Sequence, residues 1–175
     1  MKRRNFVKTT AAGSAFLMSP GAFAFRTDPS ESKKFTHQSE RSIPIAYHVD
    51  VVVVGGSTAG VAAAVEASRT GAEVFLLAQE PYLGEDVCGT FRLWTKDSSI
   101  LSTELGTAIW SEGLPSQLKV KKILDDALID RNIPFLYSCF ATDILTDNKG
   151  NPAGVVMANR SGRQAIAAKT IIDAT

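Results

Sequence analysis

The sequence predicts an α/β fold built on a parallel sheet, and three observations carry that expectation. After Asp50, Val51-Val52-Val53-Val54 is a short run of β-branched residues, the pattern of a strand buried on both faces. Gly55, Gly56 and Gly60 then turn the chain tightly into the alanine-rich helix former Val61-Ala62-Ala63-Ala64-Val65-Glu66-Ala67. After a break at Gly71-Ala72, Glu73-Val74-Phe75-Leu76-Leu77-Ala78 reads as a second buried strand. Residues 50–78 therefore form one βαβ unit with a right-handed crossover. Its small-residue stripe, Gly60, Ala64 and Ala67, lets the helix lie close against the sheet. Such a unit places backbone N–H groups and a helix N-terminus at the carboxyl edge of the sheet, which suits a phosphate or pyrophosphate.

Length and charge bound the rest. The 175 residues fit one ordinary domain with a sizeable core. The first 24 residues hold Lys2, Arg3, Arg4 and Lys8 and no acid; without them 15 basic residues face 18 acidic ones, a net of −3. That balance argues against nucleic acid as a partner, which needs a clustered positive surface. Cys88 and Cys139 are too few for a disulfide framework and read as buried thiols.

The basic start, the weakly apolar run through Phe16-Leu17-Met18 and the small residues Ala22-Phe23-Ala24 predict an export signal over 1–24. The apolar run is far short of the roughly 20 residues of a membrane span, so no stable span is expected. Arg3-Arg4-Asn5-Phe6-Val7-Lys8 resembles a twin-arginine signal, which implies the twin-arginine export machinery as a partner and a periplasmic or secreted location. An ordinary secretory signal holding two arginines is the alternative. Residues 25–45, rich in Ser, Lys, Glu and Thr, read as a flexible linker, and 46–175 as the folded domain.

Beyond the βαβ unit, Glu80-Pro81-Tyr82-Leu83-Gly84-Glu85-Asp86-Val87-Cys88-Gly89-Thr90 is expected to be a loop. A helix is expected over 98–111, begun at Ser98 or Ser99. A clearer amphipathic helix is expected over 117–131, with Val120, Leu124, Ala127 and Leu128 facing inward. The last third changes character. Strands are expected at 135–137, 141–145, 154–159 and 164–168, joined by turns at 147–152 and 161–162. Thr170-Ile171-Ile172-Asp173-Ala174-Thr175 then reads as a separate buried strand, and a chain stopping there reads as a fragment.

The glycine turn matches the G-x-G-x-x-G fingerprint at Gly55, Ser57 and Gly60, with Gly56, Thr58 and Ala59 between them. Gly55 serves the tight turn and Gly60 the close helix–strand contact. Ser57 replaces the second glycine, and its hydroxyl could donate to a phosphate. An acid that holds a ribose hydroxyl is expected about 20 residues on. That register position is Ala78, so Gln79 or Glu80 makes the contact or it is missing. No basic residue is at hand for a 2′-phosphate. Gly55→Val is expected to abolish cofactor binding without unfolding the domain.

The hairpins select the nucleotide. A nicotinamide-binding domain would continue with alternating strands and helices, whereas a β-meander between a helix and the last parallel strand is the plan of flavin-binding domains of the glutathione-reductase type. Over residues 46–175 the chain resembles the N-terminal part of an exported bacterial FAD-dependent oxidoreductase, with a Rossmann-like sheet and an inserted antiparallel meander. The resemblance rests on Asp50–Gly60, on Pro81-Tyr82-Leu83-Gly84-Glu85-Asp86, on Asn151-Pro152-Ala153-Gly154 and on Thr170–Thr175, which is similar to an Ala-Thr-Gly motif cut before its glycine. It implies FAD as cofactor and an incomplete FAD-binding domain. It further implies an adenine contact through the backbone of Ala141, with Gly84 and its neighbours lining the pyrophosphate and flavin side and Ala174 also among the cofactor-binding residues. A non-catalytic nucleotide-fold fragment and a NAD-dependent dehydrogenase are the alternatives. The small-molecule substrate is not legible.

Candidates for chemistry are few. Cys88 lies where flavoproteins approach the flavin, but a packed thiol is the ordinary state of a single cysteine there. Arg92 and Lys96 could bind an anionic substrate or stabilise reduced flavin. Glu85 and Asp86 are adjacent in sequence, and a helix N-terminus accounts for them as well as a shared proton does. His37 and His48 lack metal-site spacing, so no metal is expected. Trp94 and Trp110 read as core or interface residues.

Overall fold

The computed structural model describes residues 42–96 and 103–175. The expected export signal over 1–24, the expected linker except for residues 42–45, His37 and the segment 97–102 lie outside the described residues. The elements in order are β1 (Ile45–Val54), α1 (Thr58–Arg69), β2 (Val74–Leu77), a single π-helical turn (Glu85–Gly89), α2 (Glu104–Trp110), α3 (Gln117–Ile129), β3 (Phe135–Leu136), β4 (Phe140–Thr146), β5 (Pro152–Asn159) and β6 (Gly162–Asp173). One sheet runs in the order β3-β2-β1-β6-β5-β4. The β3-β2-β1-β6 half is parallel and the β6-β5-β4 half antiparallel. The expected Rossmann-like sheet with its βαβ unit and meander is therefore present.

Three expected boundaries change, two through strand pairing and one through a helix cap. The strands expected at 164–168 and 170–175 are one continuous β6. Its first half pairs antiparallel with β5 while most of its length pairs parallel with β1, from Ala165 beside Ile45 to Asp173 beside Val54. That pairing also extends β1 back to Ile45, six residues before the valine run that marks it in sequence. The end of β6 is half-exposed rather than buried. The helix expected from Ser98 or Ser99 is capped at Thr103, whose hydroxyl accepts from the Gly106 amide at 3.0 Å; a Thr hydroxyl on that amide is the ordinary N-cap arrangement.

Both faces of the sheet are covered. Val53, Leu76, Val61, Ala64, Ile109, Val120, Leu124 and Leu128 form a core between the sheet and the three helices. On the opposite face Val52, Val54, Phe75 and Leu77 meet Cys139, Val155, Met157 and Ile166 of the meander. The amides of Asp50 and Val51 both donate to the carbonyl of Glu73, at 2.9 and 3.0 Å. Two adjacent donors on one acceptor are the mark of a bulge, which reverses the alternation of side chains. Tyr47 and Val49 consequently pack on the same face as Val52 and Val54. The bulge is clamped by Asp50, which accepts from Lys169 of β6 at 2.6 Å and from the Glu73 amide at 3.0 Å. The Lys169 ammonium, then the Glu73 amide, hold the Asp50 carboxyl below its ordinary pKa.

Candidate functional site

The glycine turn is built by close backbone approach. Gly55 has φ +119°, and a Cβ there would stand 2.4 Å from the carbonyl oxygen of Ala174. A Cβ on Gly60 would stand 2.3 Å from the carbonyl oxygen of Gly55. Both obstacles are backbone, so neither position admits a side chain without moving a strand. The Gly55 amide donates to Leu77 and the Ala174 amide to Val54, which fastens the turn to β2 and the end of β6 to β1.

Ser57 is the N-cap of α1. Its hydroxyl accepts from the Gly60 amide at 3.1 Å and donates to the Ala174 carbonyl at 2.9 Å. Being 8% exposed, it is committed inward. The expected donation from this hydroxyl to a phosphate is replaced by a tie within the fold. Of the other first-turn amides, which have no intrahelical acceptor, that of Thr58 meets Asp86 and that of the exposed Ala59 lies at the mouth of the turn.

Ala78 closes the turn from below. Its methyl lies 2.7 Å from where a Cβ on Gly56 would be, and the side chain is fully buried. Its amide donates to Leu136 and its carbonyl accepts from Cys139, so the residue in the acid's register position faces the fold. Gln79 is exposed and Glu80 half-exposed. The Glu80 carbonyl accepts from Ser138 at 3.4 Å, which brings the end of β2 beside the chain entering β4, where Ala141 is exposed.

The segment expected as a loop at 80–90 contains an ordered π-helical turn. Gly84 caps it in the left-handed conformation, and its amide donates to the Gly56 carbonyl at 2.7 Å. Single π turns are frequent at functional sites because they re-aim side chains that an α-helix would space evenly. Here the turn aims Asp86 back at α1, with one carboxylate oxygen accepting from the Thr58 amide at 2.9 Å and the other from its hydroxyl at 2.5 Å. Asp86 thus serves a helix N-terminus, but one 28 residues upstream. Glu85 is half-buried, and burial, then the neighbouring Glu80 and Asp86 carboxylates, raise its pKa.

Helix α3 holds the π turn in place, which sequence reasoning missed. The Gln117 amide donates to the Cys88 carbonyl at 2.7 Å, Lys121 sits 3.6 Å above the centre of the Tyr82 ring, and Leu124 would be 2.7 Å from a Cβ on Gly84. The Tyr137 hydroxyl donates to Asp125 at 2.5 Å on the same helix. Only the period of α3 was visible in sequence; its contacts join residues between 12 and 40 positions apart and leave no local signal.

Cys88 is 3% exposed and burial pushes its thiol pKa up, with Lys121 opposing and Asp86 adding to the shift. It is a packed thiol. Arg92 and Lys96 are exposed, and with Thr58, Asp86, Trp94 and Trp110 they line a cavity of about 720 Å³ at the mouth of the turn. Trp110 anchors that wall by donating to the Leu93 carbonyl at 2.9 Å. Trp94 is exposed on the cavity rather than in the core. Among the described residues no three His, Cys, Asp or Glu side chains are grouped to hold a metal, and no helix is long and apolar enough to cross a membrane.

Gly55, Gly56, Ser57, Gly60, Gly84, Ala78 and Ala174 are thus brought to one sheet edge, with Thr58, Ala59 and Glu80 at its rim. A model of the FAD dependent oxidoreductase family matches residues 50–91, the run from β1 through the π turn. No curated protein matches the chain. Among solved structures it is similar to THI4 of Thermovibrio ammonificans, with 19% identity, a TM-score of 0.58, and 73% of this chain against 57% of that one. It is equally similar to a geranylgeranyl bacteriochlorophyll reductase-like protein of Thermoplasma acidophilum, at 20% identity, a TM-score of 0.58, and 73% against 39%. A 3-ketosteroid-delta4-(5alpha)-dehydrogenase of Rhodococcus jostii RHA1 follows at 16% identity, a TM-score of 0.51, and 74% against 46%. These likenesses show the fold, and the chain spans between 39% and 57% of the three structures. The family match over the glycine turn supports FAD as the cofactor.

Proposed function

We propose that this chain is the dinucleotide-binding part of a FAD-dependent oxidoreductase. The observation that carries the reading is the convergence of Gly55, Ser57 and Gly60 on Ala174, which packs a side-chain-free backbone cradle against the N-terminus of α1. The cradle fits a pyrophosphate, because the approach is close and a helix N-terminus supplies N–H groups and positive potential. Ala59 and the glycine backbone hold the pyrophosphate. Glu80, at the rim beside the chain entering β4, takes the ribose contact that Ala78 cannot make. Gly84 lines the flavin side, and the Ala141 backbone the adenine. When bound, the flavin supplies the hydride or electron transfer, and the protein binds, orients and shields it.

The finer assignment, to an exported bacterial enzyme with a glutathione-reductase-type FAD domain, rests on the twin arginines and on the meander. The location proposed with it is the periplasm or the exterior. Full-length protein purified after expression is expected to carry a yellow, flavin-absorbing chromophore, or to acquire one on addition of FAD. Protein that is folded by circular dichroism, stays colourless and takes up no FAD would overturn the reading.

A further inference from the structure

The amide and hydroxyl of Thr58, the first residue of α1, are the polar groups that a phosphate at this turn would be expected to engage. Both are already taken by one carboxylate, that of Asp86, at 2.9 and 2.5 Å. Asp86 carries the same charge as the ligand and the same acceptor geometry, and it reaches α1 from the π turn rather than from the helix itself. Across the same cavity of about 720 Å³ stand two cations, Arg92 and Lys96. Asp86 is exposed, so the carboxylate has room to turn from one set of partners toward the other.

We propose that Asp86 is a two-position latch on the cofactor site. In the closed position seen here it occupies the α1 N-terminus in place of phosphate. In the open position it is released from Thr58 and neutralised by Arg92 and Lys96, which clears the amide and hydroxyl for the pyrophosphate. The inference rests on the FAD reading and adds an internal competitor to it. Binding of the dinucleotide is then weakened by the closed contact and strengthened by the cations that stabilise the open one.

The test is FAD titration of the full chain, followed by quenching of flavin fluorescence, for the wild type, Asp86→Ala, Arg92→Ala and the double variant. Asp86→Ala is expected to tighten FAD binding tenfold or more. Arg92→Ala is expected to weaken it several-fold in the wild type and to have little effect once Asp86 is gone. A merely structural Asp86 gives no such coupling. Asp86→Asn keeps an acceptor for Thr58 without the charge, is expected to tighten binding less than alanine does, and carries the test if the alanine variant fails to fold. FAD bound by the wild type but no more tightly by either Asp86 variant would overturn the latch and leave the FAD reading standing. Equal effects of Arg92→Ala in both backgrounds would also overturn it. Binding by none of the folded proteins overturns both readings.

Discussion

The hydroxyl of Ser57 donates to the carbonyl of Ala174, 117 residues further along the chain, while accepting from the Gly60 amide within its own helix. One hydroxyl thus caps α1 and ties the turn to the end of β6. Ser57→Ala removes the cap and strands a carbonyl, at a cost of about 1–2 kcal/mol. Urea unfolding should show the loss as a lower midpoint. A hydroxyl aimed at phosphate would instead lower FAD affinity and leave the midpoint alone.

Gly55→Val and Gly60→Ala are expected to damage the fold as well as the site. Each added Cβ meets backbone within 2.4 Å, and Gly55 has a φ of +119° that a β-branched residue does not adopt. A loss of about 1–3 kcal/mol is expected for each. This corrects the expectation from sequence that Gly55→Val would spare the fold: the position touches Ala174, a neighbour invisible in a local reading. Thermal melts of both variants test it, and an unchanged melting temperature would refute the packing described for the turn.

Glu85 gives a pH-dependent prediction. Burial, with Glu80 and Asp86 nearby, raises its pKa in the folded protein. The folded state therefore holds that proton to higher pH than the unfolded chain does. Its contribution to stability is complete below the ordinary carboxylate range and is lost as pH rises through the raised value. Glu85→Gln should accordingly be the more stable protein at neutral pH, by no more than about 0.5 kcal/mol given its partial exposure. The advantage should vanish below the ordinary carboxylate pKa. Denaturation midpoints of the two proteins across that range would show the gap closing, or its absence.

Cys88 should be inert in the native protein. Burial keeps the thiol protonated, and reactivity belongs to the thiolate. A thiol reagent is expected to label it only at the rate of unfolding, and Cys88→Ala is expected to retain FAD binding. Prompt labelling of the native protein, or loss of flavin in the variant, would restore it as a functional cysteine.

Much of the fold was legible because its signals are local. Val51–Val54, the glycines and the alanines of α1 each declare an element within a few residues, and the two turns at 147–152 and 161–162 declare the meander. What sequence concealed is long-range. Ile45–Val49 carries no strand signal of its own because only its pairing with β6 makes it a strand. Lys169 reads as a break between strands because its charge answers to Asp50, far away in sequence. At the site, the glycine positions were found by spacing, whereas the contact of Asp86 with Thr58 depends on a π turn that has no sequence signature of its own.

The central position of β6 also governs how the domain can form. The strand is the last element of the described chain, yet it lies fourth of six in the sheet and pairs with residues about 120 positions earlier, as at Val51 beside Thr170. Until it is made, β1–β2 and β4–β5 are two hairpin-sized pieces with open edges and no common seam. Closing so long a loop is slow, and the waiting edges are open to other chains. Until residues 162–173 are in place, β1 and β5 each keep an edge without its partner. The same strand brings Ala174 against Gly55 and Ser57, so β6 joins the two halves of the sheet and completes the glycine turn together.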